Sequence, residues 1–501
     1  MRIFGCLNIG YESVPVEIEA EFRQGLPMIQ IVGYAGTAVR ESSDRVRLAL
    51  SNSGFVCPMK KIYINLYPGS IRKESAFLDL AIALKIMEKA QLIPSLPISV
   101  TAMGELKLSG EVCRCDGVIA GIGAGSSARS DIFIVSAENR NEAALPGKKG
   151  VYAVSSLKEA AAVITALADG QMPPQAVIAA PVVPRPETQC GDLSDIIGEP
   201  LLKEALVYAA LGHHPLLLTG PPGCGKTMAA SRLCTLLPDL TETERLETMK
   251  IYSLAGELTD DRILTRPPFR MPHHSSSAEG IIGGGPGLKP GEISLAHNGV
   301  LFLDEAAEFS SPILQSLREP LEERRIMLSR AGIRSRFPAD FLLVMAANLC
   351  PCGNRGRASA ACLCSVKEIQ RYRNRIGGAV SDRIALHWER NRYRVGDEED
   401  ETDFRPPFDS CEARERIAEI RERTVAVRGA LNGHLTPDVL RQFFRVDDET
   451  ETVLSDYSRR RGLSMRSLFH VMRLALTAAD WRGSEKVEAV DLRAVFRLRK
   501  D

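Results

Sequence analysis

The strongest constraint on how this chain can fold is the run at residues 220–227, which fits the pattern G-x-x-x-x-G-K-[ST] at every fixed position. An apolar segment at 215–219 precedes the run, and a helix-forming segment begins at Met228. Glycines at these spacings let backbone N–H groups curl around phosphate oxygens, and the following helix points its positive end at them. A chance glycine turn is the alternative, but the flanking strand and helix favour a phosphate loop. The residues predicted to hold the nucleotide are Gly220, Pro221, Pro222, Gly223, Cys224, Gly225, Lys226 and Thr227.

A second motif, at residues 300–305, supplies the carboxylates that such a loop needs. Its four apolar residues place Asp304 and Glu305 at the end of a buried strand. We expect Lys226 to reach the β- and γ-phosphates, while Thr227 and Asp304 hold Mg²⁺. Glu305 would orient and polarise the attacking water. An acidic helix cap after a strand is the alternative.

Charge and composition narrow the class of protein. Lys and Arg together (63) balance Asp and Glu (63), so a globally basic nucleic-acid binder is not expected and any such contact must use a local patch. The first ten residues do not form a signal peptide, and no run approaches the ~18 apolar residues of a membrane span. We therefore expect a cytoplasmic protein without a membrane partner.

The N-terminal third has the pattern of an α/β domain. Segments 62–66 and 132–135 have the composition of strands, and segment 76–89 carries apolar residues at helical spacing. Five prolines then stand between residues 169 and 187 among few large side chains, which is typical of an extended linker.

Continuous apolar runs in the middle of the chain, at 215–219, 300–303 and 341–345, predict a parallel sheet covered by helices on both faces. From about Asp409 the chain becomes helical and charged. A length of 501 residues exceeds what one hydrophobic core serves. The units we expect are an α/β domain (1–167), a linker (168–190), a nucleotide-binding α/β module (191–395) and a helical lid (396–501).

With Asn348 at the end of the third of these strands, the two motifs resemble the core of AAA+ ATPases. In that superfamily a polar residue at this place, sensor 1, helps to position the water. Residues 382–384 match the box whose arginine, here Arg383, acts on the γ-phosphate of a neighbouring subunit. Residues 463–466 match the lid motif whose arginine, here Arg466, reads the same nucleotide. For each arginine a solvated helix face is the alternative. Arginines that act in trans imply a ring, and the resemblance implies a hexamer.

Several longer stretches of the sequence resemble the magnesium-chelatase-like branch called the YifB/ComM family. The resemblance covers nearly the whole chain and implies an ATP hydrolase with Mg²⁺ that drives DNA translocation, as a helicase, and branch migration in homologous recombination or natural transformation (competence). The implied partner is single-stranded or branched DNA. An ATP-driven protein remodeller, or a regulatory ATPase scaffold that does not act on DNA, is the alternative. Chelatase activity is not expected, because it needs partner subunits, one with an integrin-like domain. The matching strings are residues 269–274, 283–285, 290–297, 329–332 and 348–353.

The N-terminal third also resembles the proteolytic domain of Lon, at residues 73–77 and 104–106. That domain uses a serine–lysine dyad. Phe77 falls where the serine belongs and Ile119 where the lysine belongs. Ser75 lies nearby, but no lysine matches the dyad. We expect a non-proteolytic interaction module, with cryptic peptidase activity as the alternative.

A cysteine cluster follows Asn348 directly. Four thiolates within fifteen positions suit a tetrahedral Zn²⁺, although C-x-C is tighter than the usual C-x₂-C. Four reduced thiols in a surface hairpin are the alternative. Four cysteines leave no open coordination position, so a zinc here would be structural. The cluster consists of Cys350, Cys352, Cys362 and Cys364.

Two basic stretches could contact nucleic acid. One is the series of arginines at 371, 373 and 375 interleaved with Tyr372, for which a solvated helix face or a subunit interface is the alternative. The other is the segment 269–296, which in this branch faces the central pore. There Arg270, Lys289 and the pair His273 and His274 could meet phosphates, or the histidines could form a packed turn.

Overall fold

The computed structural model describes residues 1–177, 191–258, 263–285, 287–330, 332–357, 360–390, 407 and 409–499. These residues form an N-terminal α/β module, a central α/β module with a parallel sheet and a C-terminal helical region. This is the fold class expected from the sequence. Most of the expected linker, 178–190, and the start of the expected lid, through 406, lie outside the described residues.

The N-terminal module is built on a seven-stranded sheet. Its elements are β1 (Arg2–Ile9), β2 (Glu12–Arg23), β3 (Met28–Val32), α1 (Thr37–Asn52), β4 (Lys61–Tyr67), α2 (Asp79–Lys89), β5 (Ser99–Met103), β6 (Glu105–Leu106), β7 (Val112–Cys113), α3 (Val118–Ser127), β8 (Ile132–Ser136), α4 (Arg140–Ala144), β9 (Val151–Val154) and α5 (Leu157–Ala168). The order is β3-β4-β2-β1-β5-β8-β9, in which β2 runs antiparallel to β1 and β4 and the other pairs are parallel.

The predicted N-terminal elements are confirmed. Strand β4 alternates buried and less buried positions, whereas β8 is buried throughout because helices cover both of its faces. Helix α2 has eight buried residues among eleven, so it packs as a core helix, and a 3₁₀ turn at Ala76–Leu78 precedes it. Residues 175–177, inside the segment expected to be linker, hydrogen-bond to β9.

The central module carries the phosphate loop. Its elements are α6 (Pro200–Gly212), β10 (Leu216–Thr219), α7 (Lys226–Leu236), α8 (Glu242–Ala255), β11 (Phe269–Arg270), α9 (Ala278–Ile282), β12 (Gly283–Gly284), β13 (Lys289–Pro290), α10 (Glu292–Leu295), β14 (Val300–Leu303), α11 (Ser311–Ser316), α12 (Arg318–Glu323), β15 (Arg325–Arg330), β16 (Ile333–Pro338), β17 (Leu342–Ala347), α13 (Val366–Ser381) and β18 (Leu386–Glu389).

The central sheet is parallel, with the order β11-β14-β17-β10-β18. Every residue of β14 and β17 is buried, because α6 and α7 pack on one face and α11 and α13 on the other. The predicted parallel sheet is therefore confirmed. Since the carboxyl ends of parallel strands meet at one edge, the groups that follow β10, β14 and β17 are brought together there.

The C-terminal region is helical, as predicted. It comprises α14 (Ser410–Arg428), α15 (Pro437–Phe443), α16 (Asp448–Arg461), α17 (Met465–Arg482), α18 (Ala489–Arg497) and a 3₁₀ turn at Asn432–His434. Its apolar residues share one core with α6 and α7, so the lid is continuous with the sheet. Across the described residues, every helix is too short or too polar to span a lipid bilayer.

The N-terminal module docks on α8 of the central module. Ile119 is buried against Met249 and Tyr252 of α8. Beside it the buried carboxylate of Glu142 accepts a hydrogen bond from the Ser253 hydroxyl. Ile119 therefore contributes an apolar contact between the two modules.

Candidate functional site

The phosphate loop joins β10 to α7 at the carboxyl edge of the sheet. Gly223 and Gly225 have φ angles of +77° and +89°, the left-handed region that residues with a Cβ rarely adopt. Gly225 directly precedes α7, so the free N–H groups of that helix open onto the loop. The backbone geometry is that of an anion cradle.

Lys226 lies at the centre of this cradle. Its ammonium donates to the carbonyls of Gly220 (2.8 Å) and Pro221 (3.1 Å) and to Oδ1 of Asn348 (3.2 Å). Asn348 reaches it because β17 pairs directly with β10. Burial lowers the pKa of Lys226. The structure thus brings the two residues together as the resemblance implied.

Thr227 and Asp304 present adjacent oxygen atoms. The Thr227 hydroxyl donates to Oδ2 of Asp304 at 2.8 Å. Oxygen donors of this kind are the ligands that Mg²⁺ prefers, usually with a few carboxylates and substrate phosphates completing the shell. The donor set therefore fits the ion expected at these two residues.

Glu305 projects into the same cleft. Its φ is +50°, a strained value for a residue with a side chain, and its N–H donates to Oδ1 of Asp304 at 2.9 Å. The cleft has a volume of about 420 Å³. Its walls are formed by Pro222, Gly223, Gly225, Lys226, Thr227, Met228, Asp304, Glu305, Ala347 and Asn348.

His274 also contacts this site. The sequence left open whether this histidine meets phosphates or belongs to a packed turn. Its Nδ1 lies 3.6 Å from Oε2 of Glu305, and its ring packs against His273 in a tilted arrangement with centroids 4.2 Å apart. His273 is held in turn by a 2.7 Å contact with Ser275. The two histidines lie in a solvent-accessible turn, in which the His274 imidazole contacts the carboxylate expected to position water. Its place directly after β11, next to β14 in the sheet, is the signal that could have indicated this.

The two candidate arginines meet away from the cleft. Nη2 of Arg383 and Nη2 of Arg466 both contact Oε1 of Glu322, at 2.6 and 2.7 Å. Neither arginine is among the residues that form the cleft walls. Glu322, on α12, was not singled out in the sequence. The structure therefore places both arginines at one carboxylate, outside the nucleotide cleft of their own chain.

The four cysteines lie together, with all four sulfur atoms within 4.8 Å of one another. Sγ of Cys350 is 3.4 Å from Cys352 and 3.6 Å from Cys362. A tetrahedral zinc ion with Zn–S bonds of about 2.3 Å separates its ligands by about 3.8 Å, so the spacing fits. The Arg355 N–H also donates to Cys350 Sγ (3.4 Å), as is usual for thiolate ligands. These residues would hold a structural zinc.

The cysteine loop packs on the phosphate loop. A Cβ on Gly353 would lie 3.1 Å from Pro222, and one on Gly356 would lie 3.8 Å from Pro221. Both glycines have positive φ angles, +73° and +81°. A zinc-stiffened loop would therefore brace the wall of the nucleotide cleft.

Several candidate nucleic-acid contacts are engaged within the chain. Arg270 bonds to Glu292 (2.6 and 2.7 Å) and to Glu257 (2.9 Å), and Lys289 lies 3.7 Å from Asp116. Tyr372 is 95% buried, so it does not offer a stacking face, although Arg371 and Arg373 are exposed.

The sequence matches three family profiles. The profile described as "Magnesium chelatase, subunit ChlI" matches residues 192–397, "Subunit ChlI of Mg-chelatase" matches 18–139, and "Magnesium chelatase, subunit ChlI C-terminal" matches 408–499. Together they cover all three regions of the fold.

Proteins that are similar over their full length support the same family assignment. The chain is 35% identical to the competence protein ComM of Haemophilus influenzae, covering 99% of this chain and 98% of that protein. It is 37% identical to the uncharacterised protein YifB of Escherichia coli, covering 98% and 96%. A partial similarity, 28% identity over 31% of this chain, links it to Lon protease 2 of Bacillus subtilis. The chain therefore belongs to the YifB/ComM family of magnesium-chelatase-like AAA+ ATPases.

Proposed function

We propose that this protein hydrolyses Mg-ATP and couples hydrolysis, as a ring, to translocation on DNA and to branch migration in homologous recombination or natural transformation. The observation that carries the ATPase half is the convergence of Lys226, Asn348 and the Thr227–Asp304 pair on one cleft beside Glu305.

Each residue of the cleft has a distinct task. Lys226 neutralises the phosphate oxygens that carry charge in the transition state, and the loop N–H groups hold the β-phosphate. A bound Mg²⁺ would supply further positive charge to the phosphate oxygens. Thr227 and Asp304 would hold that ion. Glu305 orients and polarises the attacking water, and Asn348 helps to hold Lys226 and the water in position.

The place of the arginines supports a ring. Arg383 and Arg466 meet at Glu322 rather than in the cleft of their own chain. Guanidinium groups stabilise the transferring phosphoryl group only by contact, so in this proposal the two arginines act on the cleft of a neighbour. Closed rings of identical subunits repeat one such interface, and six is the number that the family resemblance suggests.

The DNA-facing surface is proposed on two adjacent hairpins. The glycine-rich pair β12–β13 packs on β15–β16, since a Cβ on Gly283 would lie 2.9 Å from Leu328. Arg334 and Arg336 alternate along β16 and are both exposed. Side chains two apart lie on one face of a strand, so the hairpin presents paired guanidinium groups to a phosphate backbone. The competence named for the Haemophilus relative points the same way.

The test is ATP turnover by the purified chain, alone and with single-stranded, duplex and branched DNA, with Lys226→Ala as the control. Turnover that rises with DNA and disappears in Lys226→Ala supports the motor. The stimulation should fall steeply with salt, because phosphate contacts release counterions. Replacing both Arg334 and Arg336 by alanine should lower the stimulation and leave the basal rate unchanged.

Turnover that is present but indifferent to every DNA would leave the ATPase assignment in place and favour the second candidate, a protein remodeller. The docking of the N-terminal module on α8 favours that candidate, because an interaction module fixed to the ATPase can serve as an adaptor. Protein-unfolding assays would then separate a remodeller from a regulatory scaffold.

A further inference from the structure

A second cluster of potential ligands lies where the lid meets the central module. It consists of His213 at the carboxyl end of α6, Asp340 just before β17, and His434 in the 3₁₀ turn of the lid. One ligand atom from each lies within 4.8 Å of the others. The three are far apart in sequence and come together only in the folded chain.

Their spacing is that of ligands around one ion. Nε2 of His213 is 3.5 Å and Nε2 of His434 is 3.3 Å from the same atom, Oδ1 of Asp340. A tetrahedral metal with bonds of about 2.1 Å to nitrogen and oxygen separates its ligands by about 3.4 Å. The centroids of the two imidazole rings are 4.6 Å apart, and the ring planes are inclined at 54°.

His213 offers an unused nitrogen to a metal. Its Nε2 is buried, has no hydrogen-bond partner among the described residues and lies 3.5 Å from Oδ1 of Asp340. A bound cation would occupy the space between this nitrogen and the carboxylate and would satisfy both.

Neighbouring groups fix the ligands. The Asp340 N–H donates to Nδ1 of His297 at 3.1 Å, which orients the carboxylate. Arg421 is buried nearby, but it donates to the carbonyls of Ala210 and Leu211 at the end of α6, which offset its charge. Arg324 is exposed, with Nη1 3.4 Å from Nδ1 of His434, and this side chain must rotate toward solvent when the imidazole binds an ion.

We propose that His213, Asp340 and His434 form a binding site for a divalent transition metal such as Zn²⁺, which fastens the lid to the central module. Two imidazoles and one carboxylate are a common protein donor set for this class of ion, with water as a fourth ligand. The site is distinct from the four-cysteine cluster and does not depend on the proposed DNA activity.

The experiment measures the zinc content of the full chain. The protein is stripped with a chelator, reloaded with Zn²⁺ and dialysed, and the zinc per chain is then measured by inductively coupled plasma mass spectrometry. Asp340→Asn and His434→Gln should each retain one zinc per chain fewer than the wild type. Cys362→Ser is the matched control for the cysteine cluster, and its combination with His434→Gln should lose both contributions. Equal zinc content in wild type, Asp340→Asn and His434→Gln would overturn the proposal.

Gel filtration and circular dichroism establish whether the variants are folded. If Asp340→Asn does not fold, the zinc content of His434→Gln alone tests the metal site. Arg324→Gln should bind Zn²⁺ at least as tightly as the wild type, because it removes a competing positive charge. Melting of Cys362→Ser supplies a second readout: Zn²⁺ should raise its melting temperature, and not that of the double variant with His434→Gln. A melting temperature that rises on acidification but not with Zn²⁺ would show that protonated histidines pair with Asp340, and it would contradict the metal site.

Discussion

At the scale of single residues, the hydrolysis site combines relaxed and strained geometry. Lys226 and Thr227 make ordinary hydrogen bonds at the start of a helix, whereas Glu305 is held at a φ of +50°. A left-handed residue with a side chain costs about 1–3 kcal/mol and persists only where the surroundings hold it. Here the Asp304 carboxylate and His274 contact Glu305 from two sides.

Replacing Glu305 by glutamine should leave ATP binding and assembly intact and lower turnover by about 100-fold or more, the usual effect of losing a group that polarises the nucleophile. Binding of a fluorescent nucleotide and steady-state phosphate release measure the two properties separately. Normal hydrolysis by Glu305→Gln would show that another group positions the water.

His274→Ala should lower kcat about tenfold and leave KM for ATP nearly unchanged, because the imidazole contacts Glu305 and not the phosphate loop. His273→Ala is the matched control, since its ring packs on His274 but makes its hydrogen bond with Ser275. An effect confined to KM would mean that His274 supports nucleotide binding rather than the position of the carboxylate.

The residues of the site were predictable where the chemistry is local in sequence. Lys226 and Thr227 lie within one eight-residue pattern, and Asp304 and Glu305 end one apolar strand. Glu322 and His274 were not predictable in their roles, because their partners lie 61 and 31 residues away or more and depend on sheet order. Tyr372 looked like a stacking residue beside arginines, yet the helix turns it into the core.

At the scale of elements, helix α6 links the sheet to the lid and carries an unusual buried acid. Glu204 is fully buried, with Arg497 of α18 3.8 Å away. Burial is the largest cause that raises the pKa of Glu204 from 4.5 to about 7, and Arg497 opposes it. The folded chain therefore holds this proton more tightly than the unfolded chain does.

The consequence is a pH-dependent stability with a defined sign. Because the folded pKa is raised, the contribution of Glu204 is fully present below about pH 4.5 and is lost as the pH rises through 7, by at most about 3 kcal/mol. Melting temperatures between pH 5 and 8 should fall more steeply for the wild type than for Glu204→Gln. Glu419→Gln, an exposed change on α14, is the control and should follow the wild type.

Element boundaries were predictable to within a few residues for the long apolar strands, because β14 and β17 are buried on both faces and tolerate only apolar residues. The short hairpins β12–β13 and β15–β16 had no such signature. Glycines dominate the first hairpin. The second alternates exposed and buried positions in the structure, but its sequence hides this, because Met327 and Ile333 are exposed and Ser335 is buried.

At the scale of the whole molecule, the proposed ring requires that two chains share each active site. The cleft contains Glu305, whereas Arg383 and Arg466 meet on α12 and outside it. An active site in the proposed ring thus combines Glu305 of one chain with Arg383 of the next. Each chain would contribute to two sites, one on either side.

This division predicts complementation between two inactive variants. Arg383→Ala lacks the trans arginine but keeps Glu305, and Glu305→Gln has the opposite defect. In a randomly mixed ring at equal amounts, about one site in four pairs an intact Glu305 with an intact Arg383, so the mixture should recover about a quarter of wild-type turnover. Each variant alone should stay near background.

A second set of mixtures, of either variant with Lys226→Ala, shows which chain must bind the nucleotide that is hydrolysed. Arg383→Ala should recover with Lys226→Ala, whose arginine is intact, whereas Glu305→Gln should not, because neither partner then offers a competent cleft. If Arg383→Ala and Glu305→Gln stay inactive together while a tag on one variant co-purifies the other in mixed rings, the arginine acts within its own chain.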